Sequence, residues 1–272
     1  PMAFADFKNN KNKKLKSYIE KISAAYSCPK DFFVQTLGQG IGKIAAAFYP
    51  KPVIVRFSDF KTNEYKQLVG GDIFEFDEGN PMLGFRGASR YYSSDYAPAF
   101  ALECQAVKKV RDEMGLDNVI AMVPFVRTVN DANKVIKSLE KNKLKRGVNG
   151  LKIYMMAEIP SNALCINSFI SLFDGASIGS NDLTQFILGV DRDSEVVSFL
   201  FDERDPAVKD AISLIIKGCR KAKKYVGICG QGPSDYPELA TFLIDEKISS
   251  ISLNVDSIIP FLNTQLRKNK KR

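Results

Sequence analysis

The chain has no histidine and no tryptophan among its 272 residues. Histidine is the side chain most often used as a general acid or base near neutral pH. Without it, any proton transfer must use Cys, Asp, Glu, Lys or Tyr. The same absence means that no phosphohistidine can form on this chain.

Cysteine is scarce and scattered. The five cysteines form no CxxC pair and their number is odd, so neither a disulfide framework nor a zinc ribbon is expected. No apolar run approaches the ~20 residues needed to cross a bilayer. The segment after Pro1 lacks the three regions of a secretory signal. We therefore expect a cytoplasmic protein without membrane contact, and a first residue other than Met suggests a piece cut from a longer chain.

Positive charge is concentrated at the two ends of the chain. The formal net charge is +8, and much of it lies in KNNKNKKLK (residues 8–16) and RKNKKR (267–272). Lysine-rich termini are usually solvated and mobile, so residues 263–272 are predicted to form a basic mobile tail. No RNA- or DNA-binding motif accompanies them. Nucleic-acid binding is not expected, and a non-catalytic basic binding module is kept only as an alternative.

The order of apolar segments predicts an α/β fold. Residues 1–50 are typical of helices, as in LKSYIEKISAAY (15–26), where apolar residues recur every three or four positions. Over residues 51–262, short apolar runs alternate with amphipathic segments of helix length, a pattern typical of a parallel sheet covered by helices. The predicted strands are PVIVRF (52–57), MLGFRG (82–87), NVIAMVPFV (118–126), LKIYMMAEIP (151–160), GASIGSN (175–181), KYVGICG (224–230) and SSISLN (249–254).

A chain of this length favours a (β/α)₈ TIM-type barrel, which typically has about 250 residues. An open doubly wound sheet is the alternative, although no GxGxxG opens the first βα unit. The predicted strands fall one short of a complete barrel, so one strand is either irregular or missing.

Residues with binding or catalytic chemistry follow the predicted strands. In a parallel barrel the carboxyl ends of all strands open onto one face, so these side chains are expected to meet at one mouth. They are Arg56, Arg86, Arg127, Glu158, Asn181, Asp182 and Cys229.

Two of these residues predict a magnesium site. Glu158 and Asp182 offer hard oxygen ligands from neighbouring strands, which suit Mg²⁺ when substrate oxygens and water complete its coordination. Asp182 could instead be the N-cap of the helix that begins near DLTQFIL. Gly179 and Ser180 would let the backbone approach a ligand, and the following helix start favours an anion. With the arginines, this set suits a small phosphorylated substrate.

Cys229 lies between glycines in YVGICGQGPSD (residues 225–235). Taken alone, the stretch favours a cysteine that only fills the core. At the end of a barrel strand and in a chain without histidine, its thiol becomes the best-placed proton donor, and Gly227 and Gly230 are interpreted as clearance for a substrate.

Long ordered motifs resemble the PEP-utilising enzyme family, where PEP is phosphoenolpyruvate. The resemblance runs from about residue 30 to residue 260, nearly the whole chain, and is to the C-terminal PEP/pyruvate-binding domain of the synthase branch (pyruvate, water dikinase). The motifs that carry it are VIVRFSDFKTNEY, NPMLGFRGASRYY, MVPFVRTV, MMAEIPSNAL, DGASIGSNDLTQFILGVDRDS and YVGICGQGPSD.

The resemblance implies a role for individual residues. Glu158 and Asp182 match the family's Mg²⁺ ligands within the substrate site, and Cys229 matches its proton donor to the enolate carbon. Arg56 matches the arginine that contacts the phosphoryl group or carboxylate of PEP. Arg127 is given no role beyond local positive charge. The remaining matches to substrate-lining or phosphate-contacting positions are Gly179, Ser180, Asn181, Arg86 and Arg192.

The resemblance also implies the reaction. Pyruvate would lose a methyl proton, and its enolate would take a phosphoryl group from a phosphohistidine on another domain, itself charged by an ATP-binding domain. The overall reaction would be ATP + pyruvate + water to AMP + PEP + phosphate, a step of gluconeogenesis. The chain alone is expected to be inactive in it, and a homodimer is left open. Pyruvate, phosphate dikinase is the alternative within the family, although QGPSD favours the synthase branch.

The chain departs from the family pattern in two places. No segment resembling GLxRLEF, which opens the family's barrel, precedes residue 50. We therefore expect that the first barrel strand and one PEP-binding arginine are missing, which would leave an open sheet edge. Ala176 stands where the family usually has a larger apolar residue, and a packing variation is expected there.

Overall fold

The computed structural model describes residues 1–269, with side chains as far as residue 263. The chain forms two compact units: Pro1–Pro124 with Asn130–Ile153, and Phe125–Val129 with the chain from Tyr154 onward. Strands and helices alternate in both, and every strand pair given below is parallel. The predicted α/β class is therefore confirmed. Within the described residues, no helix is long and apolar enough to span a membrane.

The first unit begins with three helices that cover most of the segment predicted to be helical. Asn12 caps the second helix by accepting a hydrogen bond from the Leu15 N–H at 3.1 Å. Leu15 and Ile19 bury one face against Ala3. The helices of this unit are α1 (Met2–Ala5), α2 (Lys13–Ile22), α3 (Pro29–Phe48), α4 (Thr62–Gln67), α5 (Gly71–Phe74), α6 (Ala88–Tyr91), α7 (Ala97–Lys108) and α8 (Val129–Lys141).

Two strands lie wholly in the first unit. Strand β1 (Val53–Arg56) pairs with β2 (Val119–Val123), with Val53 opposite Val119 and Arg56 opposite Met122. Every residue of β2 is buried, as expected for a parallel strand covered on both faces. The continuous apolar run in the sequence follows from that burial.

The strand predicted at MLGFRG (82–87) is wrong, because this segment forms turns. The carboxylate of Glu78 accepts the Phe85 N–H at 2.9 and 3.1 Å, and the Gly84 N–H donates to the Pro81 carbonyl. These donors are used locally, so they cannot join a strand ladder. The described residues therefore contain six strands rather than the seven predicted.

The second unit carries the other four strands, except for Ile153 at the start of β3, which belongs to the first unit. They are β3 (Ile153–Ala157), β4 (Gly175–Gly179), β5 (Tyr225–Cys229) and β6 (Ser250–Ile251), paired in that order. The register places Ala157 opposite Ile178 and Gly179 opposite Cys229. The carboxyl ends of β3, β4 and β5 are therefore level with one another.

Helices connect and cover these strands. Asp205 caps α12 by accepting the Ala207 N–H at 2.8 Å, and α12 buries Val208, Ile212 and Ile215. The helices are α9 (Pro160–Leu164), α10 (Ile166–Ile170), α11 (Ser180–Leu188), α12 (Pro206–Lys221), α13 (Gly232–Asp235), α14 (Pro237–Asp245) and α15 (Ile258–Asn269). The predicted basic tail, residues 263–272, is helical as far as Asn269, and residues 270–272 lie outside the described part of the chain.

Candidate functional site

The second unit gathers most of the predicted site residues at the carboxyl ends of β3, β4 and β5. Glu158 follows β3 directly, and only 2% of its surface is exposed. Its Oε1 accepts the Phe125 N–H at 2.6 Å. A buried carboxylate needs such donors or a cation, because burying an unpaired charge is costly.

Asn162 fixes the backbone on either side of Glu158. Its Oδ1 accepts the N–H groups of Glu158 and Ile159, both at 3.1 Å, and its Nδ2 donates to the Val126 carbonyl at 2.8 Å. Asn162 is completely buried. It ties the loop after β2 to the start of α9 and so holds the Glu158 carboxylate in place. Only the position of Asn162 shortly after EIP pointed to this role in the sequence.

Asp182 lies in the first turn of α11, which begins at Ser180 and has Gly179 at its N-cap position. The alternative that Asp182 caps this helix is therefore wrong. A carboxylate oxygen of Asp182 and one of Glu158 lie within 4.8 Å of each other. Mg²⁺ binds carboxylate oxygens at about 2.0–2.1 Å, so a small side-chain adjustment would let both ligate one ion.

Gly179 leaves the space that the Glu158 side chain fills. A Cβ at this position would lie 2.7 Å from Glu158 Oε2 and 2.9 Å from Glu158 Cβ. These distances are shorter than van der Waals contact, and Glu158 is fixed by its hydrogen bonds. Glycine is therefore required at position 179 because the Glu158 side chain lies so close, and not because of the backbone conformation.

We expect Gly179→Ala to weaken Mg²⁺ binding at least about tenfold, which is about 1.4 kcal/mol, because the added methyl group displaces the Glu158 carboxylate. Calorimetric titration with MgCl₂ measures the change. Gly40→Ala is the matched control, since a Cβ at Gly40 meets nothing within 4 Å. Equal Mg²⁺ affinity in both variants would show that Glu158 does not hold the ion.

Cys229 is the last residue of β5 and is partly exposed, whereas Cys104 and Cys219 are buried. Its Sγ lies 3.6 Å from the Ile178 carbonyl oxygen, to which it donates, and 3.6 Å from Ser177 Oγ. Cys229 is therefore less buried than the two core cysteines. Its thiol lies on the strand next to the one that leads into Asp182.

The glycines beside Cys229 make room for protein atoms and not for a ligand, so that interpretation is corrected. A Cβ at Gly227 would lie 2.5 Å from the Tyr225 hydroxyl, and one at Gly230 would overlap Ser180 Oγ. Gly230 also has φ +149°, a conformation that residues with a Cβ rarely adopt. The turn after β5 is thus packed closely against the start of α11.

Ser180 and Asn181 form the first turn of α11. Ser180 is buried, and its Oγ donates to the Cys229 carbonyl at 3.4 Å. Asn181 is half-buried. Arg192 is exposed and forms an ion pair with Asp193 at 3.7 Å, while its N–H donates to Gln185 Oε1. Ser180 therefore lies beside the end of β5, where Cys229 is located. Arg192 lies at the surface in its ion pair with Asp193.

In the first unit, Arg56 and Arg86 share one carboxylate. Arg86 donates from Nε and Nη2 to Asp59 at 3.2 and 2.7 Å, and Arg56 lies 3.8 Å from the same group. The Arg86 side chain is only 6% exposed and that of Asp59 is fully buried. Sequence reasoning missed Asp59, although RFSDF places an acid three residues after Arg56.

A buried acid supports the Asp59 segment. Glu103 accepts the Ser58 N–H at 3.0 Å and its hydroxyl at 2.6 Å, and the Tyr96 hydroxyl donates to it at 3.1 Å. Burial raises the pKa of Glu103, while the donors from Ser58 and Tyr96 oppose that shift. Nothing in the ALEC stretch (residues 101–104) indicated the contact with Ser58, because Ser58 is distant from Glu103 in sequence.

The chain matches the profile of the PEP-utilising enzyme, PEP-binding domain, over residues 9–270. It is 55% identical to phosphoenolpyruvate synthase of Helicobacter pylori over 271 residues, covering 100% of this chain and 33% of that protein. Identity is 58% to the Pseudomonas aeruginosa synthase and 55% to that of Escherichia coli, covering 90% and 95% of this chain and 31% and 33% of those proteins. The chain therefore spans about a third of the length of these relatives.

Among solved structures, the chain resembles an HpcH/HpaI aldolase/citrate lyase family protein from Burkholderia cenocepacia. The TM-score is 0.50 at 14% identity, covering 94% of this chain and 90% of that one. At this identity the likeness concerns the fold alone. It supports the TIM-barrel-like α/β architecture predicted from the strand order.

Proposed function

Because the chain belongs to the PEP-utilising enzyme family, whose PEP-binding domain it matches over residues 9–270, we propose that it binds pyruvate and PEP and performs the pyruvate half of the phosphoenolpyruvate synthase reaction. The overall reaction is ATP + pyruvate + water to AMP + PEP + phosphate. The ATP-binding and phosphohistidine domains are its proposed partners in a cytoplasmic enzyme. Every relative cited above is named a synthase, so pyruvate, phosphate dikinase is not favoured.

One observation carries this proposal: two carboxylates lie close together, and a partly exposed thiol ends the strand beside the one that leads into Asp182. Glu158 and Asp182 have oxygens within 4.8 Å of each other. Cys229 is the last residue of β5, and the register of β4 and β5 places Cys229 opposite Gly179. Metal ligands and an acid–base group within one small region are what enolisation of pyruvate requires.

The donor set fits Mg²⁺. Both proposed ligands are carboxylates, which Mg²⁺ prefers together with water and substrate oxygens, and Glu158 is held by the Phe125 N–H and by Asn162. When bound, Mg²⁺ supplies Lewis-acid stabilisation to the enolate of pyruvate. The N–H groups at the start of α11 favour a substrate anion close by.

Cys229 performs the proton transfer in this proposal. As a thiolate it takes a proton from the methyl carbon of pyruvate, and the electron pair of that C–H bond becomes the enolate. In the reverse direction the thiol returns the proton to the same carbon. Ser180 and Asn181 line the substrate.

Phosphoryl transfer needs a group that this chain does not contain. The enolate oxygen attacks the phosphorus of a phosphohistidine on another domain, an O–P bond forms, and the N–P bond breaks. With no histidine of its own, the chain acts as the acceptor half and cannot turn over ATP alone. Contacts from Arg56, Arg86 and Arg192 to phosphoryl or carboxylate oxygens stay predictions that rest on the family resemblance.

Calorimetry with oxalate, a planar mimic of enolpyruvate, tests the proposal directly. We expect oxalate to bind the full chain in the presence of Mg²⁺ and to bind at least about 100-fold more weakly with EDTA, which is about 2.7 kcal/mol. Sulfate at the same ionic strength is the control for simple attraction to a basic protein. Affinity for oxalate that does not depend on Mg²⁺, or that equals affinity for sulfate, would contradict the proposed function.

A further inference from the structure

Glu203 is a buried acid to which the mechanism above gives no role. Only 3% of its surface is exposed, and its Oε1 has no hydrogen-bond partner among the described residues. It lies in FDERDP, the segment that leads into α12. Because burying a carboxyl group without full pairing destabilises a protein, its presence needs an explanation.

The Glu203 carboxyl group packs against the turn that follows Cys229. A Cβ at Gly232 would lie 2.5 Å from Glu203 Oε2, and one at Gly230 would lie 3.5 Å from Glu203 Oε1 and would also overlap Ser180 Oγ. The acid therefore fills the space between the start of α11 and both glycines of the turn. Ser180 in turn donates to the Cys229 carbonyl at 3.4 Å.

The neighbour of Glu203 anchors this segment from outside. Arg204 donates to Asp202 at 2.9 and 3.0 Å and to Glu238 at 3.1 Å, and its guanidinium lies 4.1 Å from the centre of the Tyr236 ring. Tyr236 and Glu238 mark the start of α14, just beyond the same turn. Each exposed ion pair is weak alone, but together these contacts tie the segment that carries Glu203 to the start of α14.

The groups around Glu203 have opposing effects on its charge. Burial raises its pKa, and the negative charge of Asp235 adds to that shift. The Ser180 hydroxyl, the Gly232 N–H and the positive charge of Arg192 lower it. These are the polar groups that face the carboxyl from α11, from the turn and from the flanking segments.

We propose that Glu203 is a positioning residue for Cys229. It acts through Ser180 and through the Gly230–Gly232 turn, and so determines where the thiol lies at the end of β5. The proposal rests on the proposed function only in assigning the proton transfer to Cys229. The packing of Glu203 against the turn is independent of that assignment.

Alkylation of individual cysteines tests the proposal without any substrate. The chain is treated with iodoacetamide, and peptide mass spectrometry gives a rate for each cysteine. In Glu203→Ala we expect Cys229 to react at least about fivefold faster, because the turn loosens and exposes the thiol. Glu203→Gln has nearly the same shape and is expected to stay within about twofold of wild type. Exposed Cys28 and Cys165 serve as internal controls.

A second variant covers the case in which Glu203→Ala does not fold. Gly232→Ala places a methyl group against Glu203 Oε2, so it disturbs the same contact from the opposite side. It is expected to change Cys229 alkylation in the same way, with Gly40→Ala as the matched control. Unchanged Cys229 rates in every folded variant of this contact would overturn the proposal.

Exchange of the pyruvate methyl protons with D₂O separates positioning from general stability. In Glu203→Ala we expect the exchange rate to fall at least about tenfold, since small misplacement of a catalytic group has large effects. Magnesium-dependent oxalate affinity is expected to stay within about threefold. If the exchange rate and the oxalate affinity fall by similar factors, Glu203 has only a general structural role and the proposal is wrong. If wild type shows no exchange but Cys229 alkylation still depends on Glu203, the positioning proposal stands and the proposed function fails.

Discussion

Glu158→Gln and Asp182→Asn should each lower the Mg²⁺-dependent affinity for oxalate at least about 100-fold, a loss of about 2.7 kcal/mol. Each substitution replaces a charged hard ligand by a neutral amide of nearly the same shape. The amide oxygen at position 158 can still accept the Phe125 N–H, so the loop after β2 should keep its conformation. The loss would then report on the ion and not on misfolding. Titration calorimetry of oxalate with MgCl₂ gives the affinities.

Matched controls come from exposed acids of the same type. Glu140 lies on α8 and Asp210 on α12, and both are exposed, so Glu140→Gln and Asp210→Asn change the net charge by the same amount away from the site. Both controls should bind oxalate as wild type does. Wild-type affinity in Glu158→Gln or in Asp182→Asn would remove that residue from the metal site.

Cys229→Ser should slow exchange of the pyruvate methyl protons with D₂O at least about 100-fold, the lower end of what a positioned acid–base group contributes. A serine hydroxyl is far less acidic than a thiol, whose ordinary pKa is about 8.5. Serine has nearly the same shape as cysteine, so the neighbours of Sγ, the Ile178 carbonyl and Ser177, should stay in place. Proton NMR of pyruvate in D₂O with Mg²⁺ measures the rate.

Two measurements show whether the loss is chemical. Cys165→Ser replaces an exposed cysteine and should exchange pyruvate protons at the wild-type rate. Oxalate has no methyl group, so its Mg²⁺-dependent affinity for Cys229→Ser should stay within about threefold of wild type. Exchange at the wild-type rate in Cys229→Ser would assign the proton transfer to another residue.

Strands could be predicted from the sequence where their residues are buried on both faces. Strand β2 is an unbroken apolar run because all of it is buried, and β3 and β4 follow the same rule. The run MLGFRG has similar composition, yet it forms turns because Glu78 captures the Phe85 N–H. That contact joins residues that no local pattern relates to each other.

The site shows the same division between local pattern and tertiary contact. Glu158, Asp182 and Cys229 could be chosen because each lies at or just beyond the end of a recognisable buried strand. Asn162 and Glu203 could not, because their importance comes from the backbone groups and glycines that surround them in space. Arg86 was predicted as a phosphate contact, and the sequence did not predict that its guanidinium group binds the buried Asp59 in the first unit.

The pairing of β4 with β5 determines where the chain can change in length. Gly179 is level with Cys229 in this register, and successive residues of a strand point to opposite faces. One residue gained within β5 would turn the thiol to the other face and present Ile228 in its place, and one residue lost would present Gly230 there. Insertions and deletions can therefore accumulate in the surface connections of this chain, but not between Tyr225 and Cys229.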